Sequence, residues 1–169
     1  MNDLEEKTKV RKVFKRLSIK IVGYGIMIFV CLQFVIGIYQ IHDNDMYPSL
    51  RDGDLVITYK LGGYYTGDVV VYKAEDKLHY GRIAAVASDT VMITEDNYYA
   101  INGNMPFERI YYPTKPGTVL NYPYTVMDNE VFILGDMRQQ ANDSRKFGGI
   151  STKDLRGKVV LLLFRGRGF

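Results

Sequence analysis

The chain has 169 residues, of which 47% are hydrophobic and 24% charged; this is enough for one folded domain with its own core and too little for two. The first twenty residues hold seven of the 22 Lys and Arg residues and three of the 19 Asp and Glu residues, and the rest of the chain carries 15 basic against 16 acidic side chains. That balance argues against binding nucleic acid, and the single cysteine, Cys31, excludes an intrachain disulfide or a thiolate zinc site.

An apolar segment without any charged residue, 21–41, follows the basic segment 1–20. When helical, its length matches the roughly 30 Å hydrocarbon core of a bilayer. The apolar region of a cleavable signal peptide would be about 7–15 residues long and would end in small residues. This segment instead ends in Tyr39-Gln40-Ile41. The sequence therefore predicts one uncleaved transmembrane helix over 21–41, which anchors the chain in the lipid bilayer.

The charges on either side of this helix predict its direction. The basic residues precede it, whereas Asp43 and Asp45 follow it closely. Basic residues concentrate on the cytoplasmic side of membrane spans. We therefore expect a single-pass protein of the cell membrane with a cytoplasmic N-terminus and an extracellular domain over 42–169.

Beyond residue 41 the sequence is typical of β-structure, with short runs rich in Val, Ile, Tyr and Thr between Gly, Asp, Asn and Pro residues. We expect a mostly antiparallel β domain, in which only 152–155 has the pattern of a short helix. The final run, 159–164, is too short for a second span and is interpreted as a buried strand. The predicted strands are 55–59, 68–72, 79–86, 90–93, 98–101, 130–134 and 158–164.

Short motifs follow one another along this domain. They are Asp45-Met46-Tyr47-Pro48-Ser49-Leu50 with Gly53-Asp54, Gly67-Asp68-Val69-Val70, Tyr80-Gly81-Arg82-Ile83, and Gly135-Asp136-Met137-Arg138 with Asn142-Asp143-Ser144-Arg145. Their order and spacing resemble the type I signal peptidase family, and the resemblance covers nearly the whole domain. It implies the antiparallel β fold of that family behind one N-terminal transmembrane helix.

The resemblance also implies which positions would carry the chemistry. Active members of the family use a Ser nucleophile and a Lys general base. Here Asp45 stands at the Ser position and Gly81 at the Lys position. The Ser that contributes to the oxyanion hole is matched by Asp43, and the Ser that orients the Lys is matched by Ala141. The chain therefore resembles a family member whose catalytic residues have been replaced.

These replacements predict a protein that does not cleave peptides. Gly81 accepts no proton, and the Asp43 carboxylate would repel the oxyanion that an active site must stabilise. The loss of a long side chain at Gly81 also predicts free space in a more acidic cleft. The candidate peptide-binding cleft consists of Asp43, Asp45, Met46, Gly81, Ala141 and Asp143. The motif residues expected to maintain the fold are Pro48, Gly135, Asp136, Arg138, Ser144 and Arg145.

Asp45, Gly81 and the single anchor together resemble the signal-peptidase-like proteins of streptococcal pilus gene clusters, which are required for pilin polymerisation by a sortase. This resemblance implies a non-catalytic accessory factor or chaperone of pilus assembly in a Gram-positive membrane. The implied partners are secreted or membrane-bound pilin subunits or the pilus sortase. Because an extended peptide can bind by strand addition without any nucleophile, peptide binding can outlast the loss of cleavage.

Other functions stay open on the sequence alone. An active membrane-bound signal peptidase, serine-type or unusual, would need another mechanism, for example an aspartic dyad of Asp45 with Asp43 or Asp143. His79 lies two residues from Gly81 on the same strand face, but we interpret it as a surface or partly packed histidine. An adaptor of an active signal peptidase, or a vestigial cleft with contacts on another face, are further alternatives. No cofactor or metal is expected, since the histidines and carboxylates lack ligand spacing.

Overall fold

The computed structural model describes residues 2–107 and 112–165, with side chains described from residue 7 onward. Residue 1 of the expected basic segment, and 108–111 and 166–169 of the expected outer domain, lie outside the described residues. The chain divides into two compact units, Met1–Ile36 and Gly37–Phe169.

The first unit is a long helix. Helix α1 spans Asn2–Val30 and continues through a π-helical stretch, Cys31–Val35. Within it, Lys7–Val35 is long and apolar enough to cross a membrane. The N-terminal apolar helix expected from the sequence is therefore present.

The predicted helix is wrong at its C-terminal end, because Ile36–Gln40 forms strand β1. Gly37 lies so close to the neighbouring strand that a Cβ on it would be 2.5 Å from Thr58 Oγ1. Ile41 is fully buried, and its backbone N–H donates to the carbonyl of Asp54 at 2.8 Å. Apolar character alone does not distinguish the end of a transmembrane helix from the first strand of a β domain. The predicted helix therefore included the residues of β1.

The described residues form ten strands, and seven of them make one sheet in the order β1-β2-β10-β3-β4-β8-β9. The other three form a smaller sheet in the order β6-β5-β7. The pairings from β2 onward are antiparallel, which confirms the predicted fold class. The remaining strands are β2 (Leu55–Tyr59), β3 (Val69–Ala74), β4 (Lys77–Val86), β5 (Thr90–Ile93), β6 (Tyr99–Ile101), β7 (Tyr124–Thr125), β8 (Glu130–Leu134), β9 (Ile150–Ser151) and β10 (Leu155–Phe164).

Every predicted strand is present, with shifts of up to three residues at the ends. The short strands β1, β7 and β9 were not predicted, because two to five residues give too little alternation to recognise. The predicted helix at 152–155 is a 3-10 turn over Thr152–Asp154. A short helix that was not predicted, α2 (Ser144–Phe147), begins after Asp143, whose side chain accepts from the backbone N–H of Arg145 and caps the helix.

Three apolar clusters pack against these sheets. One, around Phe132 and Leu134, lies against the smaller sheet. A second consists of Val70, Tyr72, Ile83, Val131, Ile133, Ile150 and Leu155. The third consists of Ile41, Met46, Leu50, Val56, Val71 and Tyr80. The central strands β3, β4 and β8 contribute to more than one cluster, which makes them the frame that positions the loops around Asp45 and Gly135.

The end of β10 is not the buried strand that the sequence predicted. Val160, Leu161, Leu163 and Phe164 are between 48% and 60% exposed. Strand β3 pairs only with the first part of β10, Leu155–Lys158, so the last residues have a neighbour on one side only, strand β2. An apolar run indicates a strand but does not show whether both of its faces are covered.

Candidate functional site

Asp45 lies in the turn after β1 and is held by the loop that follows β8. Its side-chain Oδ2 accepts from the backbone N–H of Asn142 at 3.0 Å, and its carbonyl accepts from the N–H of Met137 at 2.9 Å. Gly135 packs against the same residue, since a Cβ there would lie 2.7 Å from the Asp45 carbonyl oxygen and 2.3 Å from Ala141 Cβ. Asp45 and Ala141 thus both lie against Gly135.

Asp43 is the second carboxylate of this group. Its Oδ1 accepts from the backbone N–H of Asp45 at 3.1 Å. Burial, followed by the charge of Asp45, raises the pKa of Asp43 to about 6. Burial also raises the pKa of Asp45, while hydrogen bonds from Asn142 act in the opposite direction. The two carboxyl groups therefore form an acidic pair whose charges are partly removed from water.

Gly81 lies in β4 opposite Val70, and the free space predicted beside it does not exist. A Cβ on Gly81 would lie 2.3 Å from Cγ2 of Ile133 and 3.4 Å from Cε1 of Tyr72. Real Cβ contacts are not made at the shorter distance, so the Ile133 side chain occupies the volume into which a side chain at position 81 would extend. The expectation of a vacancy is wrong because a neighbouring side chain from β8 fills it.

Tyr72 connects this packed volume to the acidic pair. It is fully buried in β3, and its hydroxyl donates to the carbonyl of Asn142 at 3.1 Å. The N–H of the same Asn142 donates to Asp45, so one residue joins the two positions. Sequence reasoning identified Tyr72 only as a strand residue. The signal that could have identified its role is chemical: a Tyr buried in a β domain requires a hydrogen-bond partner for its hydroxyl.

His79 faces the same cluster. Its ring stacks on Tyr72 with centroids 5.6 Å apart and packs on Phe147 at 5.0 Å. Burial lowers its pKa, and the charge of Asp45 opposes that shift. The interpretation of His79 as a partly packed histidine agrees with these contacts.

Asp143, Ser144 and Arg145 hold the loop after β8 from inside. Asp143 is 1% exposed and accepts both Nε and Nη2 of Arg145, at 2.9 and 2.8 Å. Its Oδ2 also accepts from the N–H of Gly135 at 3.0 Å. Ser144 Oγ accepts from the N–H of Ile133 at 2.8 Å. Asp143 is therefore a buried structural carboxylate, and its side chain does not line an open cleft.

A second ion pair ties the motif around Pro48 to the same loop. Asp136 accepts Nε and Nη2 of Arg82 at 2.9 and 2.8 Å. The hydroxyl of Ser49, the residue after Pro48, donates to the same carboxylate. Charged pairs with two parallel hydrogen bonds are the strongest of their kind. This pair fixes the loop of Asp136 against the turn of Ser49.

Met46 was expected to line the cleft, and the structure corrects this. It has no exposed surface and packs in the third apolar cluster with Ile41 and Leu50. Gly81 is buried as well, and Asp45 is 7% exposed. Among the six predicted cleft residues, Asp43 and Ala141 keep the larger share of accessible surface. The predicted cleft is thus largely filled.

The described part of the chain contains no group of three or more His, Cys, Asp or Glu residues that could hold a metal ion. The chemistry the site offers is that of two desolvated carboxyl groups and one stacked imidazole. Asp45 and Asp43 each bind a backbone N–H, so each stabilises a turn.

The fold and the packing of these motifs define the class of protein. The family described as "Signal peptidase, peptidase S26" matches residues 14–164. Signal peptidase IB of Staphylococcus aureus (strain Mu50 / ATCC 700699) is 30% identical over 155 residues, which covers 79% of this chain and 81% of that protein. The chain therefore belongs to the signal peptidase family S26.

Two further relatives show the breadth of the similarity. The protein named "Inactive signal peptidase IA" of Staphylococcus aureus (strain COL) is 28% identical over 163 residues, covering 90% of this chain and 92% of that protein. The crystal structure of a signal peptidase I from Enterococcus faecalis V583 superimposes with a TM-score of 0.51 at 19% identity. It covers 59% of this chain and 99% of that chain. This second likeness supports the β fold.

Proposed function

We propose that this chain is a signal peptidase homologue that has lost cleavage and acts as a membrane-anchored accessory factor of pilin polymerisation. The observation that carries the loss of cleavage is the contact at Gly81. Glycine offers no general base at the position that the family resemblance assigns to it, and any side chain there would require Ile133 to shift, since a Cβ would lie 2.3 Å from Ile133 Cγ2. A peptidase of this type needs a neutral amine within reach of its nucleophile.

The acidic pair supports the same proposal. An oxyanion developing beside Asp43 and Asp45 would meet negative charge where hydrogen-bond donors are required, and one such donor is commonly worth about 3–4 kcal/mol. Asp45 is engaged through Asn142, which leaves its carboxylate in a structural role. The name of the Staphylococcus aureus relative, "Inactive signal peptidase IA", also fits a family that includes members without activity.

The partner is the further step of the proposal. The replacement of Ser by Asp45 and of Lys by Gly81, together with one anchor, resembles the streptococcal pilus proteins, and this favours pilin subunits or the pilus sortase as partners. The basic segment before the helix favours a cytoplasmic N-terminus. The β unit then faces the side on which pilins are polymerised.

An unusual protease is the second candidate, and the raised pKa values of Asp43 and Asp45 are the observation that favours it. An aspartic dyad shares one proton between two carboxyl groups that both face the substrate. Here Asp43 Oδ1 faces the N–H of Asp45 and Asp45 Oδ2 faces the N–H of Asn142. This arrangement favours turn stabilisation over proton sharing.

One experiment separates the two candidates. The full chain, purified in detergent, is incubated with a secretory precursor beside an active signal peptidase. We expect no product from this chain at any pH. Cleavage that disappears in Asp45→Ala would overturn the non-catalytic proposal. The pilus role is tested separately, by deleting the gene and measuring polymer length, and polymers of normal length without this chain would count against it.

A further inference from the structure

The charge-free part of the N-terminal helix is short for a membrane span. The predicted span ran over 21–41, but the helix ends at Val35 and strand β1 follows. The charge-free residues left in the helix, 21–35, number about 15 and measure about 22 Å at about 1.5 Å per residue. The hydrocarbon core of a bilayer is about 30 Å thick, so about five further helical residues lie at its depth.

Strand β1 cannot supply the missing length. In the described sheet it is an end strand with one open edge. Open sheet edges do not occur in the hydrocarbon core, because lipid offers no partner for unpaired backbone N–H and C=O groups. The missing depth therefore comes from the N-terminal side, where helix α1 continues without a break. This places the segment 16–20, with Arg16 and Lys20 at its ends, at the edge of the hydrocarbon core.

Three cations share one face of the helix at this edge. Lys12, Arg16 and Lys20 follow one another at intervals of four residues, and all three are exposed. The sequence from Lys7 to Val35 holds no Asp or Glu. Like charges at this spacing destabilise a helix, and an anion beside them removes that cost. The face is therefore complementary to an anionic partner.

The geometry of a helix lets these cations reach the lipid headgroups. The Cα–Cβ bonds of an α-helix tilt toward its N-terminus, so the long side chains of Arg16 and Lys20 extend away from the hydrocarbon core. Such side chains keep their apolar stems in lipid and their charges at the interface. Phe14 and Leu17, which are 70% and 54% exposed, provide apolar surface at the same level. Lys12 lies about 6 Å further along the axis than Arg16, within a headgroup layer of about 5–7 Å.

We infer that Lys12, Arg16 and Lys20 form a binding site for the headgroup phosphate of anionic phospholipids, in the leaflet on the N-terminal side of the span. The cations lie at the depth of the phosphate groups, and their charge is complementary to an anionic headgroup. The inference rests on the membrane anchor of the proposed function, but it needs neither the filled cleft nor the pilus role. A second copy of the helix is disfavoured as the occupant of this face, because its cations would meet the same charge.

Lipid retention by the full chain tests the inference. The chain is reconstituted in nanodiscs of equal amounts of phosphatidylglycerol and phosphatidylcholine, and the lipids still bound after release into detergent are counted by native mass spectrometry. We expect phosphatidylglycerol to be retained preferentially. Each basic residue near an anionic surface changes the equilibrium by about fivefold, so Arg16→Gln with Lys20→Gln should lower this preference by at least about fivefold. Equal retention of the two lipids by the parent would overturn the inference.

Lys77→Gln with Lys153→Gln is the matched control, because it removes the same charge at two exposed positions outside the helix. It should leave the lipid preference unchanged. Equal losses in the two double variants would show a general charge effect and overturn the inference. Excess inorganic phosphate, compared with chloride at the same ionic strength, tests for a free anion site. Loss of the lipid preference with phosphate alone would overturn the assignment to lipid.

Failure of this inference and failure of the membrane anchor are distinguishable. A chain that enters nanodiscs but retains both lipids equally would overturn the phosphate site and leave the anchor in place. A chain that stays out of nanodiscs, including those of pure phosphatidylcholine, would overturn both.

Discussion

The Cγ2 methyl group of Ile133 lies 2.3 Å from the point at which a side chain on Gly81 would begin. The two residues belong to neighbouring strands, β8 and β4, in the centre of the larger sheet. Introducing a lysine at position 81 therefore requires Ile133 to move as well.

The first prediction concerns this contact. Gly81→Ala should destabilise the protein by about 1–3 kcal/mol, as overpacking of a core does. Gly81 is not among the glycines with positive φ, so the backbone itself accepts alanine. In the Ile133→Ala background, Gly81→Ala should cost much less. Thermal unfolding of the parent, the two single variants and the double variant, followed by near-UV circular dichroism, measures the coupling between positions 81 and 133. Additive changes in stability would contradict the contact.

The same contact predicts the outcome of attempts to restore cleavage. Asp45→Ser with Gly81→Lys should show no cleavage because Ile133 occupies the space into which the lysine would extend. Adding Ile133→Ala makes room but leaves Asp43 and Ala141 unchanged, so activity should stay below that of an active relative. Precursor cleavage by the double variant at the rate of an active signal peptidase would refute the steric argument.

Asp43 gives a pH prediction with a definite sign. Its pKa is about 6 in the folded protein against an ordinary value of 3.8, so between these values the folded state binds more protons than the unfolded state. Ionisation of Asp43 therefore lowers the free energy of unfolding as the pH rises from about 4 to about 6, and this cost remains at higher pH. Asp43→Asn removes that cost. The variant should therefore melt at a higher temperature than the parent at about pH 7 and at the same temperature near pH 4. An equal difference at both pH values would count against the raised pKa.

The Arg82–Asp136 pair should contribute to stability. Arg82→Met leaves a carboxylate whose side chain is 10% exposed without its bidentate partner, and this should cost about 3 kcal/mol. Lys73→Met is the matched control, because it breaks a pair whose carboxylate is 95% exposed and should change little. Urea unfolding of both variants compares them. Equal losses of stability in the two variants would contradict a special contribution of the Arg82–Asp136 pair and would indicate lost side-chain packing instead.

Tyr72→Phe isolates the hydroxyl that reaches Asn142. We expect a loss of about 1 kcal/mol, since Asn142 is exposed and water can replace the bond. Faster hydrogen exchange of the Asn142 N–H, which donates to Asp45, is the specific sign of a loosened loop. Tyr98→Phe, at an exposed position, serves as the control. An unchanged hydrogen-exchange rate of the Asn142 N–H in Tyr72→Phe would show that the Tyr72 hydroxyl does not stabilise this loop.

The strands and the motif positions could be predicted because both are local in sequence. Alternation of apolar residues gave β2, β5 and β8 with their observed bounds. The ion pair of Asp143 with Arg145 was not predicted, although both residues belong to one short motif.

The errors concern contacts between distant parts of the chain. Gly81 was predicted to leave a space, but the size of that space depends on Ile133 in another strand. Met46 was placed in the cleft because it follows Asp45, although the turn directs its side chain into the core. The end of β10 was predicted to be buried because it is apolar. Burial depends on which neighbours a strand receives, and that is a property of the assembled sheet.

The exposed end of β10 has a practical consequence for handling the protein. A chain cut at Gly37 would lose the long helix but keep Val160, Leu161, Leu163 and Phe164 in contact with water. Grouped apolar surface of this kind promotes association between copies. A truncated form should therefore sediment as larger particles as its concentration rises, and detergent should disperse them. Affinities measured on such a form without detergent would describe particles in which part of the surface is already occupied.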